Sequence, residues 1–63
     1  ELSEIINSVL SGLSDTYRYI FKQRFIENKS QAEIAQKLGV SQMTISRSEK
    51  AIVESFKREL NRH

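Results

Sequence analysis

The stretch SQAEIAQKLGVSQMTISRSEK, residues 30–50, decides how this chain folds. Ser30 is followed three positions later by Glu33, the spacing at which a hydroxyl and a carboxylate satisfy each other's backbone N–H groups. A helix is therefore expected to start here and run to Leu38. Gly39 can take the left-handed conformation that ends a helix, Val40 can fold back onto the core, and Ser41 can cap a second helix beginning at Gln42. Ala35 is small and lies four residues before Gly39, on the face where the two helices must cross closely, while Ile34, Leu38, Val40 and Ile45 supply an apolar seam. Two helices joined by so tight a turn make a helix-turn-helix, a motif that places its second helix in the major groove of DNA. A plain helical bundle also needs caps and a small crossing residue, so nucleic-acid binding is the expectation and a bare bundle its alternative.

Outward from the motif, the second helix is expected to continue unbroken from Gln42 to about Asn61, with Ile45, Ile52, Val53, Phe56 and Leu60 as its inner face. Ser48 stands where a larger apolar side chain would complete that stripe. Looser packing or a close helix approach is expected there, and a break in the helix would fall there if anywhere. On the N-terminal side, Leu2, Ile5, Ile6, Val9 and Leu10 put an apolar stripe on a first helix ending near Ser11-Gly12. Ser14 can cap the next, covering Asp15 to about Glu27, with Asp15 favourable at its N-terminal dipole. Tyr17, Ile20, Phe21, Arg24 and Phe25 follow helical spacing, which assigns the aromatics to the core rather than to base stacking. Asn28 tolerates the left-handed conformation and should end this helix, leaving Lys29 as the link into Ser30. Lys57, Arg58 and Arg62 complement the dipole of the last helix. The fold expected is all-α, four helices near residues 2–10, 14–27, 31–38 and 42–60, in one domain spanning residues 1–63.

Sixty-three residues bury only roughly 60% of their unfolded surface, which leaves a thin core and little room for a catalytic cleft. The sequence has no cysteine, so neither disulfides nor thiolate metal ligands are available and the helices must hold by packing. The single histidine, His63, falls at the chain end, and no phosphate-cradling loop or metal-ligand cluster occurs; an enzyme, a cofactor and a metal are not expected. No apolar run approaches the roughly 20 residues that span a bilayer, and no signal-peptide order is present, so a cytoplasmic protein without a membrane partner is expected. A start at Glu1 suggests a piece of something longer. Charge is uneven: the first fifteen residues carry three acids and no base, whereas the rest carries all ten Lys and Arg against five acids. A basic surface on the later helices suits a polyanion.

With the motif and its flanking helices in place, the sequence resembles region 4 of bacterial sigma factors, the promoter-specificity subunits of RNA polymerase, and is most similar to the alternative sigma factors of Gram-positive bacteria. The likeness rests on Leu13-Ser14, on Gln23-Arg24-Phe25-Ile26-Glu27-Asn28-Lys29-Ser30-Gln31, and on Glu33-Ile34-Ala35 running through Leu38-Gly39-Val40-Ser41-Gln42 to Ile45-Ser46-Arg47 and Glu49-Lys50. It covers about residues 10 to 57. Asn28 stands where the family usually has Gly, and Ser48 replaces an expected Leu or Ile.

The resemblance implies a last helix in the major groove of the promoter −35 element. It also implies docking on the flap of the polymerase β subunit through an apolar face made mainly by the first two helices. Carried over position by position, the base-reading residues are Gln42, Met43, Ser46 and Arg47. The chemistry agrees best for Arg47, which can hold guanine in a bidentate pair, and for Gln42, which can do so with adenine; Met43 can touch a thymine methyl, and Ser46 discriminates little. Ser30, Gln31, Thr44 and Lys50 are better placed for phosphates, which position a domain without specifying sequence. Promoter recognition by a monomeric domain is thus the expected function, with an anti-sigma factor as a further partner. Two alternatives stand: a free-standing dimeric regulator, which would protect a palindrome with half-sites about one helical turn apart, and a protein-interaction module that no longer reads DNA.

Overall fold

A computed structural model describes residues 2–62; Glu1 and His63, and with them the expectation for the histidine at the chain end, lie outside the described residues. Four helical segments follow one another: α1 (Leu2–Gly12), α2 (Asp15–Phe21, prolonged by a π-helical turn, Lys22–Ile26), α3 (Gln31–Leu38) and α4 (Gln42–Arg62). Among the described residues there is no strand, and the fold is all-α. α4 is the spine, and α1, α2 and α3 all pack against it.

Cap chemistry places the helix ends. Ser14 Oγ accepts from Tyr17 N–H at the start of α2. At α3, Ser30 Oγ accepts from Glu33 N–H while Glu33 Oε1 accepts from Ser30 N–H, both at 3.1 Å, the reciprocal pair expected from the spacing. α3 stops at Gly39, whose φ of 71° is open to a residue without Cβ, and Val40 N–H returns to Ala35 O at 3.0 Å to close the turn. Ser41 Oγ then accepts from Thr44 N–H and caps α4. Asn28 ends the second helix with φ 60°, as its short polar side chain permits.

The core gathers where these helices meet. Ile20 of α2, Ile34 and Ala35 of α3, and Ile45 and Ile52 of α4 are buried together, ringed by Leu13, Tyr17, Phe21, Leu38 and Phe56. Each isoleucine fully removed from water stabilises the fold by roughly 1.5–3 kcal/mol. Ile5 and Val9 of α1 are also buried, and Ser8 Oγ donates to Glu59 Oε1, so α1 lies along the C-terminal half of α4. Arg18 fastens the α1–α2 corner: its guanidinium donates to the carbonyls of Leu10 and Leu13 and pairs with Asp15. Ser48 does not break α4. It is buried, and its hydroxyl donates to Thr44 O at 2.9 Å, so the small polar residue is satisfied within its own helix.

The second helix departs from the expected regular α-helix. Glu27 N–H reaches five residues back to Lys22 O, so the turn over Lys22–Ile26 is π rather than α, and Lys29 N–H returns to Gln23 O across the left-handed Asn28 to close the helix end. The wider turn shifts the side chains it carries out of α-helical register. Phe25, expected on the core face, is 46% exposed, although its ring still meets Phe21 at 5.5 Å between centroids. Val53 and Leu60 are likewise exposed where the apolar pattern assigned them inward, because three short helices do not cover the whole circumference of a 21-residue α4, and Val40, in the turn before α4, is exposed rather than folded onto the core.

Candidate nucleic-acid interface

α4 turns two faces to different tasks. Ile45 and Ile52 are completely buried and Ser48 nearly so, which fixes the helix's rotation. Met43, Ser46, Arg47 and Lys50 are all exposed and fall within roughly 100° of arc on the opposite side, at 100° per residue. Gln42, also exposed, lies at the edge of that arc nearest α3, where its Nε2 donates to Gln31 Oε1 at 3.5 Å. The structure thus brings the four base-reading candidates, Gln42, Met43, Ser46 and Arg47, onto one outward surface over the first turns of α4.

Charge on this surface is available. Among the described residues no carboxylate is paired with Arg47 or Lys50, whereas Arg18, Arg24, Lys57 and Arg62 each have an acidic partner. Arg47 instead donates through Nη2 to Met43 Sδ at 3.6 Å, a weak bond that costs little to exchange for a base edge.

The phosphate candidates are less uniform. Ser30 is committed to its capping box: its oxygen receives Glu33 N–H and its own N–H goes to Glu33 Oε1. Hydrogen bonds to the carboxylate from the Ser30 backbone N–H and the Ser30 side chain, with Lys29 nearby, hold the Glu33 carboxyl below its ordinary value, so a negative charge sits at the start of α3 and works against an anion there. Thr44 shares its hydroxyl with Ser41 Oγ at 2.9 Å. Gln31, half-buried at the first position of α3, and Lys50, exposed on α4, keep donors for a phosphate.

A second surface lies further along α4, where α1 and the second helix meet it. Leu2 and Ile6 of α1, Phe21 and Phe25, and Ile52, Val53, Phe56 and Leu60 of α4 line a groove without polar lining, with Lys57 at its edge. The rings of Phe25, Phe21 and Phe56 run in series along it, the last two stacked at 5.4 Å. The first two helices therefore make only part of this apolar face, and α4 contributes the rest. Periodicity alone concealed that share, because an apolar residue on α4 reads as core whether or not another helix covers it. Among the described residues no cluster of three or more metal-ligating side chains occurs, and no helix is long and apolar enough to cross a membrane.

Comparison with known proteins places the chain in a family. Residues 9–58 match the family described as Sigma-70, region 4. The chain is 39% identical over 56 residues to the RNA polymerase sigma-B factor of Bacillus subtilis, covering 89% of this chain and 21% of that protein. It is 35% identical over 49 residues to the sigma-G factor of the same organism, covering 78% and 19% respectively. The sigma-G factor of Clostridium acetobutylicum is 34% identical over 53 residues, covering 84% of this chain and 21% of that protein. The chain thus spans about a fifth of the length of the curated relatives it matches. No solved structure matches it. With the matched residues running from the end of α1 through most of α4, the chain belongs to the sigma-70 region 4 family.

Proposed function

We propose that residues 1–63 form one domain of an RNA polymerase sigma factor that reads the promoter −35 element through α4 and docks on the polymerase through its apolar groove. The observation that carries the reading is the division of α4: Ile45 and Ile52 are fully buried, while Arg47 and Lys50 stand on the opposite side with no acidic partner among the described residues. A helix so anchored presents Gln42, Met43, Ser46 and Arg47 to base edges, with Gln31 and Lys50 toward the backbone, whereas Ser30 and Thr44 are occupied within their caps. The groove beside α1 offers the polymerase β flap an apolar seat.

Selection of bound duplexes from a random pool, followed by sizing of the complex, tests the DNA half of the proposal. One short asymmetric motif bound by one chain is the expected result. A palindrome bound by two chains would replace the sigma reading by that of a dimeric regulator. Binding without sequence preference would remove base reading altogether.

A further inference from the structure

The first residues of the two motif helices are joined. Gln31 opens α3, Gln42 opens α4, and Gln42 Nε2 donates to Gln31 Oε1 at 3.5 Å across the turn that separates them. A primary amide has two N–H donors and a carbonyl oxygen that accepts. Once one N–H of Gln42 is held by Gln31, its second N–H and its oxygen remain, which are the two groups that pair with N7 and N6–H of adenine in the major groove. The bond favours the orientation of the amide that presents its donor and acceptor in this order over the reverse. The other end of the Gln31 amide keeps both N–H groups.

From this juxtaposition we infer that Gln31 is a positioning residue for base reading: it links a DNA phosphate to the Gln42 amide and fixes the orientation in which Gln42 recognises adenine. The chain of bonds runs from phosphate oxygen to Gln31 Nε2, and from Gln31 Oε1 to Gln42 Nε2. The inference rests on the proposed reading of DNA by α4 and adds a specific coupling to it. That coupling separates two functions within one side chain. The oxygen of Gln31 governs base choice, while its nitrogen governs affinity for any sequence.

Two variants divide them. Gln31→Glu keeps an acceptor for Gln42 but replaces the phosphate donor by a negative charge. Gln31→Leu removes both and keeps a similar volume at a half-exposed site. Each is titrated, as the 63-residue chain, against the selected duplex and its three single-base relatives at the position whose preference changes in Gln42→Ala. Gln31→Glu should weaken all four duplexes together while keeping the preference for adenine. Gln31→Leu should also lower that preference by roughly fivefold or more, a share of what one bidentate pair contributes. In the double variant Gln31→Leu with Gln42→Ala, the preference should be no lower than in Gln42→Ala alone. If Gln42→Ala alters base choice and Gln31→Leu does not, or if Gln31→Glu loses the preference as fully as Gln31→Leu, the coupling is wrong while the reading by Gln42 stands. If Gln42→Ala leaves every base preference unchanged, the reading by Gln42 falls and the coupling with it.

Discussion

Arg24 Nε donates to Glu49 Oε2 at 3.2 Å, tying the π turn of the second helix to the middle of α4. The Glu49 side chain is only 14% exposed and that of Arg24 39%, so solvent screens this pair less than it screens the pairs within single helices. Removing Arg24 would leave a half-desolvated carboxylate. Arg24→Ala should cost about 1–3 kcal/mol, between the values of exposed and buried pairs, and a double-mutant cycle with Glu49→Ala should return a coupling of about 1 kcal/mol. Urea denaturation measures both. A coupling indistinguishable from zero would show that the π turn is held by the Phe21 and Ile20 contacts alone.

The capping box gives the fold a dependence on acid. Hydrogen bonds from Ser30 hold the Glu33 carboxyl below its ordinary value of 4.5 in the folded chain. A carboxyl whose folded pKa lies below its unfolded one adds stability above the unfolded value, and loses it as pH falls through the folded value. Stability of the wild-type chain should therefore decline on acidification below about 4.5, and Glu33→Gln, which keeps a side-chain oxygen for Ser30 N–H, should decline less. Thermal melts followed by circular dichroism at several pH values test it. Equal slopes for the two proteins would assign the acid response to other carboxylates.

Much of the helical layout was legible because cap chemistry is local. Ser30 with Glu33, Gly39 and Asn28 each carry their role within three or four residues, and the structure places all of them as expected. Base-reading candidates were legible for a related reason: once Ile45 and Ile52 are inward, the helical period sends Met43, Ser46, Arg47 and Lys50 outward. The π turn was not legible. Its sequence, Lys22–Ile26, satisfies α-helical spacing equally well, and the bond that ties the turn to α4, from Arg24 to Glu49, joins residues far apart in the chain. Phe25 was assigned inward because the π turn that carries it was not legible, and Val53 for want of knowing which stretch of α4 the short helices cover. The link from Gln31 to Gln42 likewise depends on how α3 and α4 cross, which spacing along either helix does not specify.

The apolar groove and the proposed DNA-reading face should be separable by mutation. Val53 is 39% exposed on the groove side of α4 and fills no part of the buried core, so Val53→Asp should leave helicity and DNA affinity nearly unchanged. A buried charge at the centre of an apolar contact should weaken association with core RNA polymerase by about tenfold or more. Titration of the polymerase with labelled wild-type and variant chains measures this. Unchanged affinity would move the docking surface elsewhere on the domain.

Arg47 and Lys50 are three residues apart on the same exposed face, yet they should do different work. Arg47 lies among Met43 and Ser46 in the first turns of α4, and its planar guanidinium can meet guanine O6 and N7 together. Lys50 stands one turn further on, a point charge on a flexible stem suited to a phosphate. So small a domain should neutralise about 4–5 phosphates, giving a slope near −4 in a log–log plot of affinity against salt. Arg47→Ala should then cost about 1–3 kcal/mol on the selected site and relax base choice at one position, whereas Lys50→Ala should weaken all sequences nearly equally and reduce that slope by about 1. Circular dichroism checks that both variants stay folded, as their exposure requires. If Arg47→Ala weakened every sequence alike, Arg47 would be a second phosphate contact, and discrimination would have to come from Gln42 and the thymine-methyl contact of Met43.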